Sequence, residues 1–374
     1  MKLCTTINDL LPSEIIEKIL KLLNLKEKCH AQLICRRWKG IMDNGNLLIK
    51  AAGKILFFVM MNEYMSLSFP SLERISCVII AGESTVQVFN GDFETKDFPR
   101  LHTILASSIV MHNGTILVCG GVINYTKCLQ LNHGAWKEHS TLNEARFQHS
   151  AVGTKTATFI FGGDHTRTTY EYLPKDSTIW LRGKNEIPGG FTQGCGIAVK
   201  SKQEIWLIGG FQTEKRILVF NINDHTFQEL PSQLNVERLR HRIAYIPNTN
   251  KIMITGGASA VSVFNQNLNS TEVLDTENGS VTMANPMNSS RHDHGIGAIT
   301  INGEDKLAVF GGVDTQRILD SVELYSNQTG KWETSTIKLS RGRYNFGFLA
   351  VTLADIIKNK AMSQINANSK PKMK

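Results

Sequence analysis

Between residues 77 and 353 the apolar positions fall into short bounded runs rather than long helical stripes. A run of four or five aliphatic or aromatic residues ends in a glycine doublet, a polar stretch follows, then an alternating segment, then an aromatic residue. The unit occurs five times, with doublets at Gly120–Gly121, Gly162–Gly163, Gly209–Gly210, Gly256–Gly257 and Gly311–Gly312, spaced by 42, 47, 47 and 55 residues. Short apolar runs that stop at turn residues read as buried strands, and a period of this size signals a propeller or solenoid rather than one irregular core. Upstream the period changes. Ile15, Ile19, Leu22 and Leu23 recur at helical spacing behind Leu11-Pro12-Ser13-Glu14, and Leu33, Ile34, Cys35, Trp38 and Ile41 make a second apolar helix face.

Each doublet opens the same cadence. Tyr170, Tyr172 and Trp180 follow the second doublet, Leu218, Phe220 and Phe227 the third, and Val322, Leu324, Tyr325 and Trp332 the fifth; the first keeps Trp136 but has Leu129 and Leu131 before it. Strand, glycines, strand, turn and aromatic strand make one small antiparallel sheet per period, and the four aromatics Trp136, Trp180, Phe227 and Trp332 are expected to pack between sheets. Cys77–Gly82, followed by Val86, Val88 and Phe89, reads as a degenerate leading copy with one glycine. Arg341 to Leu353 reads as an opening strand whose glycine strand never comes. The two half-copies complement each other, so the C-terminal strand is expected to close a ring beside the first sheet.

This repeat resembles the kelch family, whose repeats each form a four-stranded blade of a β-propeller. With the five full copies, the two complementary half-copies make six blades. The N-terminal wording Leu11-Pro12, Glu14-Ile15, Ile19, Leu22-Leu23 and Cys35-Arg36-Arg37-Trp38 resembles the F-box, the motif by which adaptors dock on the Skp-type linker of cullin-based ubiquitin ligases. A bundle of this size buries little surface by itself, so its surplus apolar positions call for a partner. The expected architecture is a small all-α F-box helical domain followed by an all-β kelch-type propeller: F-box at 1–45, a linker or helical spacer at 46–73, the propeller at 74–355 and a basic tail at 356–374. The resemblance implies that Leu11, Pro12, Ile15, Ile19, Leu22 and Trp38 meet the Skp-type linker, and through it a cullin scaffold.

Charge narrows the partners. The formal net charge is +8, but the tail carries five lysines and no acid, the first fifty residues carry four net positive charges, and residues 51–355 are left at −1. An excess held in a polar tail and a small module does not make a nucleic-acid groove, so no nucleic-acid partner is expected. No membrane span is expected either, since the run Ile55 to Met61 has seven residues against the ~20 that cross a bilayer. Seven cysteines, odd in number and without metal-type spacing, suggest reduced thiols and a cytoplasmic protein, the basic tail leaving a nuclear address open.

Arginines before the glycine strands mark equivalent ring positions. Arg146-x-x-His149, Arg238-x-x-His241 and Arg291-x-x-His294 recur, with Arg341-x-x-Tyr344 at the end and Arg100 ahead of the first doublet; Thr192-Gln193-Gly194 breaks the pattern. In kelch-type adaptors such arginines often line one channel mouth, so Arg100, Arg146, Arg238, Arg291 and Arg341 are expected to face a protein target, where guanidinium forks suit carboxylates of an acidic segment. Recurrent arginine and histidine also suit ties between neighbouring blades, and both readings stay open at this level. Catalytic signals are weak. G-x-S-x-G, P-loop and H-E-x-x-H patterns do not occur, and His292 and His294 on one strand face would be two metal ligands without a third. The expectation is a non-catalytic substrate receptor without cofactor or metal, with a scaffolding or cytoskeleton-binding role as the alternative.

Overall fold

A computed structural model describes the backbone at 76–82, 85–89 and 94–95 and most of 108–352, apart from short stretches near 123, 133, 165, 200, 260 and 302. The F-box positions, Arg100 and the basic tail lie outside the described residues.

The repeats fold as a β-propeller with five blades of four antiparallel strands each, at residues 108–141, 150–182, 195–229, 242–284 and 295–338, numbered here blades 1 to 5. In every blade the strand order follows the chain, so the glycine strand is always second from the inside. A further four-stranded sheet joins the two ends: Gly347–Thr352 pairs antiparallel with Ser76–Gly82, in register Cys77↔Val351 and Ile80↔Phe348, beside Thr85–Phe89 and Glu94–Thr95. The inner strands lie against one another in turn, and Gly347–Thr352 returns to Ser108–His112. The long interval of 55 has a local cause. Blade 4 carries an extra ribbon, Ala258–Ser259 with Gln266–Asn267, between its second and third strands.

The core consists of the seams between sheets. Val110, Leu117 and Leu142 of blade 1 pack with Ile160, Leu173 and Trp180 of blade 2, and Trp180 Nε1 donates to Ser140 Oγ at 3.0 Å. Phe159, Phe161 and Tyr170 of blade 2 meet Phe220 of blade 3 edge to face at 5.1–5.4 Å, with Phe227 packed beside them. Trp332 closes the seam of blades 4 and 5, and Phe346 with Phe348 closes that of blade 5 and the joining sheet. Trp180, Phe227 and Trp332 thus pack as the pattern implies, and Trp136 is half-buried.

Gly209 shows why the doublet is glycine. Its φ is +57°, and a Cβ there would stand 2.8 Å from His241 Cε1 and 2.9 Å from the Arg238 carbonyl oxygen. Left-handed backbone and close approach are needed together. One cysteine expectation fails. Cys119 and Cys128 oppose each other on adjacent strands of blade 1 and are joined as a disulfide, both fully buried, so not all seven thiols are reduced; opposed strand positions bring two Cβ atoms within bridging reach across a span of nine residues that no metal-type spacing reveals.

Candidate functional site

The segments that carry the chain from the outer strand of one blade to the inner strand of the next share one eight-residue register: 142–149, 187–194, 234–241, 287–294 and 339–346. Each begins with a buried apolar residue, Leu142, Ile187, Leu234, Met287 or Leu339. Its fifth residue sends its carbonyl to the second glycine of the preceding doublet: Arg146 to Gly121, Phe191 to Gly163, Arg238 to Gly210, Arg291 to Gly257 and Arg343 to Gly312, at 2.7–3.1 Å.

Arg146, Arg238 and Arg291 have no exposed surface. Arg238 Nη1 donates to the Gly256 carbonyl and Nη2 to Glu272 Oε1, each at 2.7 Å; Arg291 treats Gly311 and Glu323 alike at 2.7 and 2.6 Å; Arg146 donates to Gly162 at 2.8 Å and Glu171 at 3.0 Å. The three glutamates are equally buried and also accept the backbone N–H groups that open the connector, as Glu272 does from Asn235 and Val236. Burial presses each guanidinium pKa down and the facing carboxylate pushes it back up. These arginines therefore tie connector to blade, and a guanidinium without exposed surface cannot meet a docked segment. The expectation that they line a binding mouth is corrected in favour of the framework reading. Arg341 is exposed, and the register gives its ring position to the buried Arg343.

Blade 3 breaks the pattern in concert. Phe191 stands for arginine, Leu218 for glutamate, and Pro188 for the asparagine whose N–H the glutamate accepts in blades 2, 4 and 5; Phe191 and Leu218 lie in one apolar cluster. The whole polar tie is replaced by an apolar one.

The histidines are structural too. His149, His241 and His294 are buried against the first glycines, and burial, followed by the neighbouring arginine, holds His149 down to about 3 and the other two well below the usual imidazole range. His294 Nε2 lies 2.8 Å from Thr255 Oγ1 while His292 Nδ1 lies 2.9 Å from Asp293 Oδ2, so the two do not converge, and among the described residues no three His, Cys, Asp or Glu side chains gather as a metal site.

The surface of the mouth comes from the seventh connector position. Gln148, Gln193, Arg240, Asp293 and Asn345 all have φ between +50° and +56°. Their backbones form a belt: Gln193 N–H donates to the Gln148 carbonyl, Arg240 to Gln193, Asp293 to Arg240 and Asn345 to Asp293, at 2.7–3.0 Å. Left-handed non-glycine residues are uncommon, and here the belt stabilises five of them. Side chains continue the chain, with Gln193 Nε2 donating to Gln148 Oε1 at 2.9 Å and Arg240 Nε to Gln193 Oε1 at 3.1 Å. The belt rings a cavity of ≈ 40 Å³ that Arg242 and Phe346 also line. Sequence reading missed this ring because its five residues share a conformation and no chemical type; their offset of two from the register position, arginine in four connectors and Phe191 in the fifth, is the only signal.

The mouth lies at the glycine end of the blades. In the joining sheet Gly347 and Gly82 are at that end, while Ser76 pairs with Thr352 at the other. The described chain thus enters and leaves the propeller on the face opposite the mouth.

Comparison with known proteins gives the N-terminal segment its identity. A family match to the F-box domain covers residues 9–50. Residues 9–50 are an F-box domain. The chain is 28% identical over 194 residues to a kelch repeat-containing protein of Dictyostelium discoideum, a stretch that is 50% of this chain and 28% of that relative. The chain therefore matches just over a quarter of that relative's length. The solved structure of YjhT superimposes with a TM-score of 0.54 at 13% identity, covering 64% of this chain and 86% of YjhT, which shows the shared kelch-type propeller fold.

Proposed function

We propose that this chain is the target-recognition adaptor of a Skp-cullin-F-box ubiquitin ligase, and that it is not itself an enzyme. An F-box at residues 9–50 ahead of a propeller whose mouth faces away from the incoming chain is the observation that carries this reading. Leu11, Pro12, Ile15, Ile19, Leu22 and Trp38 dock the Skp-type linker and with it the cullin. The propeller holds a target protein with an acidic segment, and tethering the two replaces chance collision with a high effective concentration. The belt residues, with exposed Arg341 and with Arg100, form the target face; the buried register arginines support it from beneath. The joining sheet is the sixth blade of the ring, in domains bounded at 45, 73 and 355.

The test is capture of cullin components from lysate by the wild type and by the Leu11→Ala, Pro12→Ala variant. Recovery with the wild type and loss with the variant is expected. Equal recovery from both, or none from either, overturns the ligase reading.

A further inference from the structure

Seven large apolar side chains are exposed among the described residues, and four of them, Val122, Tyr125, Phe211 and Ile318, stand on loops that follow glycine doublets, on the face of the mouth. Two of these flank the belt. The Phe211 N–H donates to the Thr192 carbonyl, one residue from Gln193, and Ile318 bridges to Val313, which in turn bridges to His292 beside Asp293. Arg240 lies between these flanks in the belt. Its Nε is held by Gln193, while its Nη1 makes a long ion pair, 3.8 Å, with Asp293 Oδ2, an oxygen that also lies 2.9 Å from His292 Nδ1. Arg242 Nη1 donates to the His241 carbonyl at 3.3 Å, and its guanidinium also hydrogen-bonds the buried Cys195 thiol, which leaves others of its five N–H donors unused. Two guanidinium groups with N–H donors to spare thus share a cavity of ≈ 40 Å³ with one carboxylate, the rest of its lining being amides, a glycine, the neutral His149 and Phe346. The cavity carries a positive balance and room for one small group.

We propose that this cavity takes a single carboxylate side chain from a protein segment, gripped by Arg240 and Arg242, with an apolar side chain on each side of it resting on Phe211 and Ile318. Arg167, whose guanidinium carbon lies 5.2 Å from the centre of the Phe211 ring and whose Nη1 donates to Gln212 at 3.2 Å, holds that ring as a shelf. Asp293 competes with the incoming acid and so sets a threshold that neutral segments do not overcome. The site deepens the adaptor reading, yet it is read out on the purified full chain without any linker protein.

The experiment is a displayed peptide library in which a central Asp, Glu, Asn, Gln or Lys is flanked by apolar or serine positions. The wild type is expected to prefer a central acid over its amide by about tenfold or more, the equivalent of one charge-assisted hydrogen bond. Arg240→Asn, whose side chain tolerates the left-handed backbone, removes that preference. Asp293→Asn strengthens acid binding, and Phe211→Ser weakens apolar-flanked peptides while leaving the acid preference intact. Lys155→Gln, on an exposed hairpin of the opposite face, changes nothing. Equal selection of acid and amide, retention of the preference in Arg240→Asn, weaker acid binding in Asp293→Asn, or no selected peptide at all overturns the proposal. Loss of cullin capture with acid selection intact would overturn the ligase reading alone.

Discussion

Blade 3 supplies the design for a test of what the buried arginines do. Blade 4 holds Asn235, Arg238 and Glu272 where blade 3 holds Pro188, Phe191 and Leu218. Replacing Glu272 by Leu alone leaves the Arg238 guanidinium buried with only carbonyl and hydroxyl acceptors, and stranding one member of such a pair costs about 3–5 kcal/mol. Arg238→Phe alone strands a carboxylate that keeps its bonds from Asn235 and Val236, so its loss falls at the low end. The double exchange removes both charges together and is expected to recover most of either loss, since apolar replacements of buried pairs are often neutral. Adding Asn235→Pro removes the N–H left without its carboxylate and recovers more. The assay is urea unfolding of the four variants as a double-mutant cycle with the triple exchange added, following circular dichroism and tryptophan fluorescence for coincidence. Against a total stability of roughly 5–15 kcal/mol, either single loss is unmistakable. Additive losses in the double variant refute the coupled-tie account. An unchanged midpoint for Arg238→Phe with weakened target capture refutes it more sharply, because that arginine would then face a partner.

Two more outcomes follow from the same seams. His149, His241 and His294 stay neutral in the fold, so below the unfolded imidazole value of about 6.5 the unfolded chain takes up three protons that the native one does not. Stability is intact above that pH and falls as pH drops from about 6.5 to 5, by about 4 kcal/mol per unit for three histidines at full slope; a flat profile of unfolding midpoints across this window contradicts the assignment. Gly209→Ala combines a left-handed penalty of roughly 1–2 kcal/mol with overpacking of roughly 1–3 kcal/mol against His241. Gly114→Ala, at φ +74° with nothing within 4 Å of its Cβ, carries the backbone penalty alone. Thermal melts that rank the two variants equally would show that the close approach at Gly209 does not matter.

Much of the architecture is local information and was readable along the chain. An apolar run closed by two glycines specifies a buried strand and an abrupt turn, because few other residues accept φ near +57° and then +108° in succession. Five copies specify a repeat fold, and the half-copies at 77 and 341 specify a join at Ser76–Gly82 and Gly347–Thr352. The F-box was legible for the same reason, since its apolar spacing and its Leu-Pro and Arg-Arg-Trp wording lie within forty residues. The fate of the arginines was different. Recurrence placed Arg146, Arg238 and Arg291 at equivalent sites, but burial depends on Glu171, Glu272 and Glu323, each 25–34 residues further on, and only the folded blade brings those carboxylates to them. The last register arginine was misplaced by two residues, at Arg341 instead of Arg343, because without a following glycine strand nothing in the sequence fixes the frame. The mouth was decided by tertiary structure alone: Gln148, Gln193, Arg240, Asp293 and Asn345 share neither charge nor size, and what unites them is a left-handed turn held by hydrogen bonds from one blade to the next.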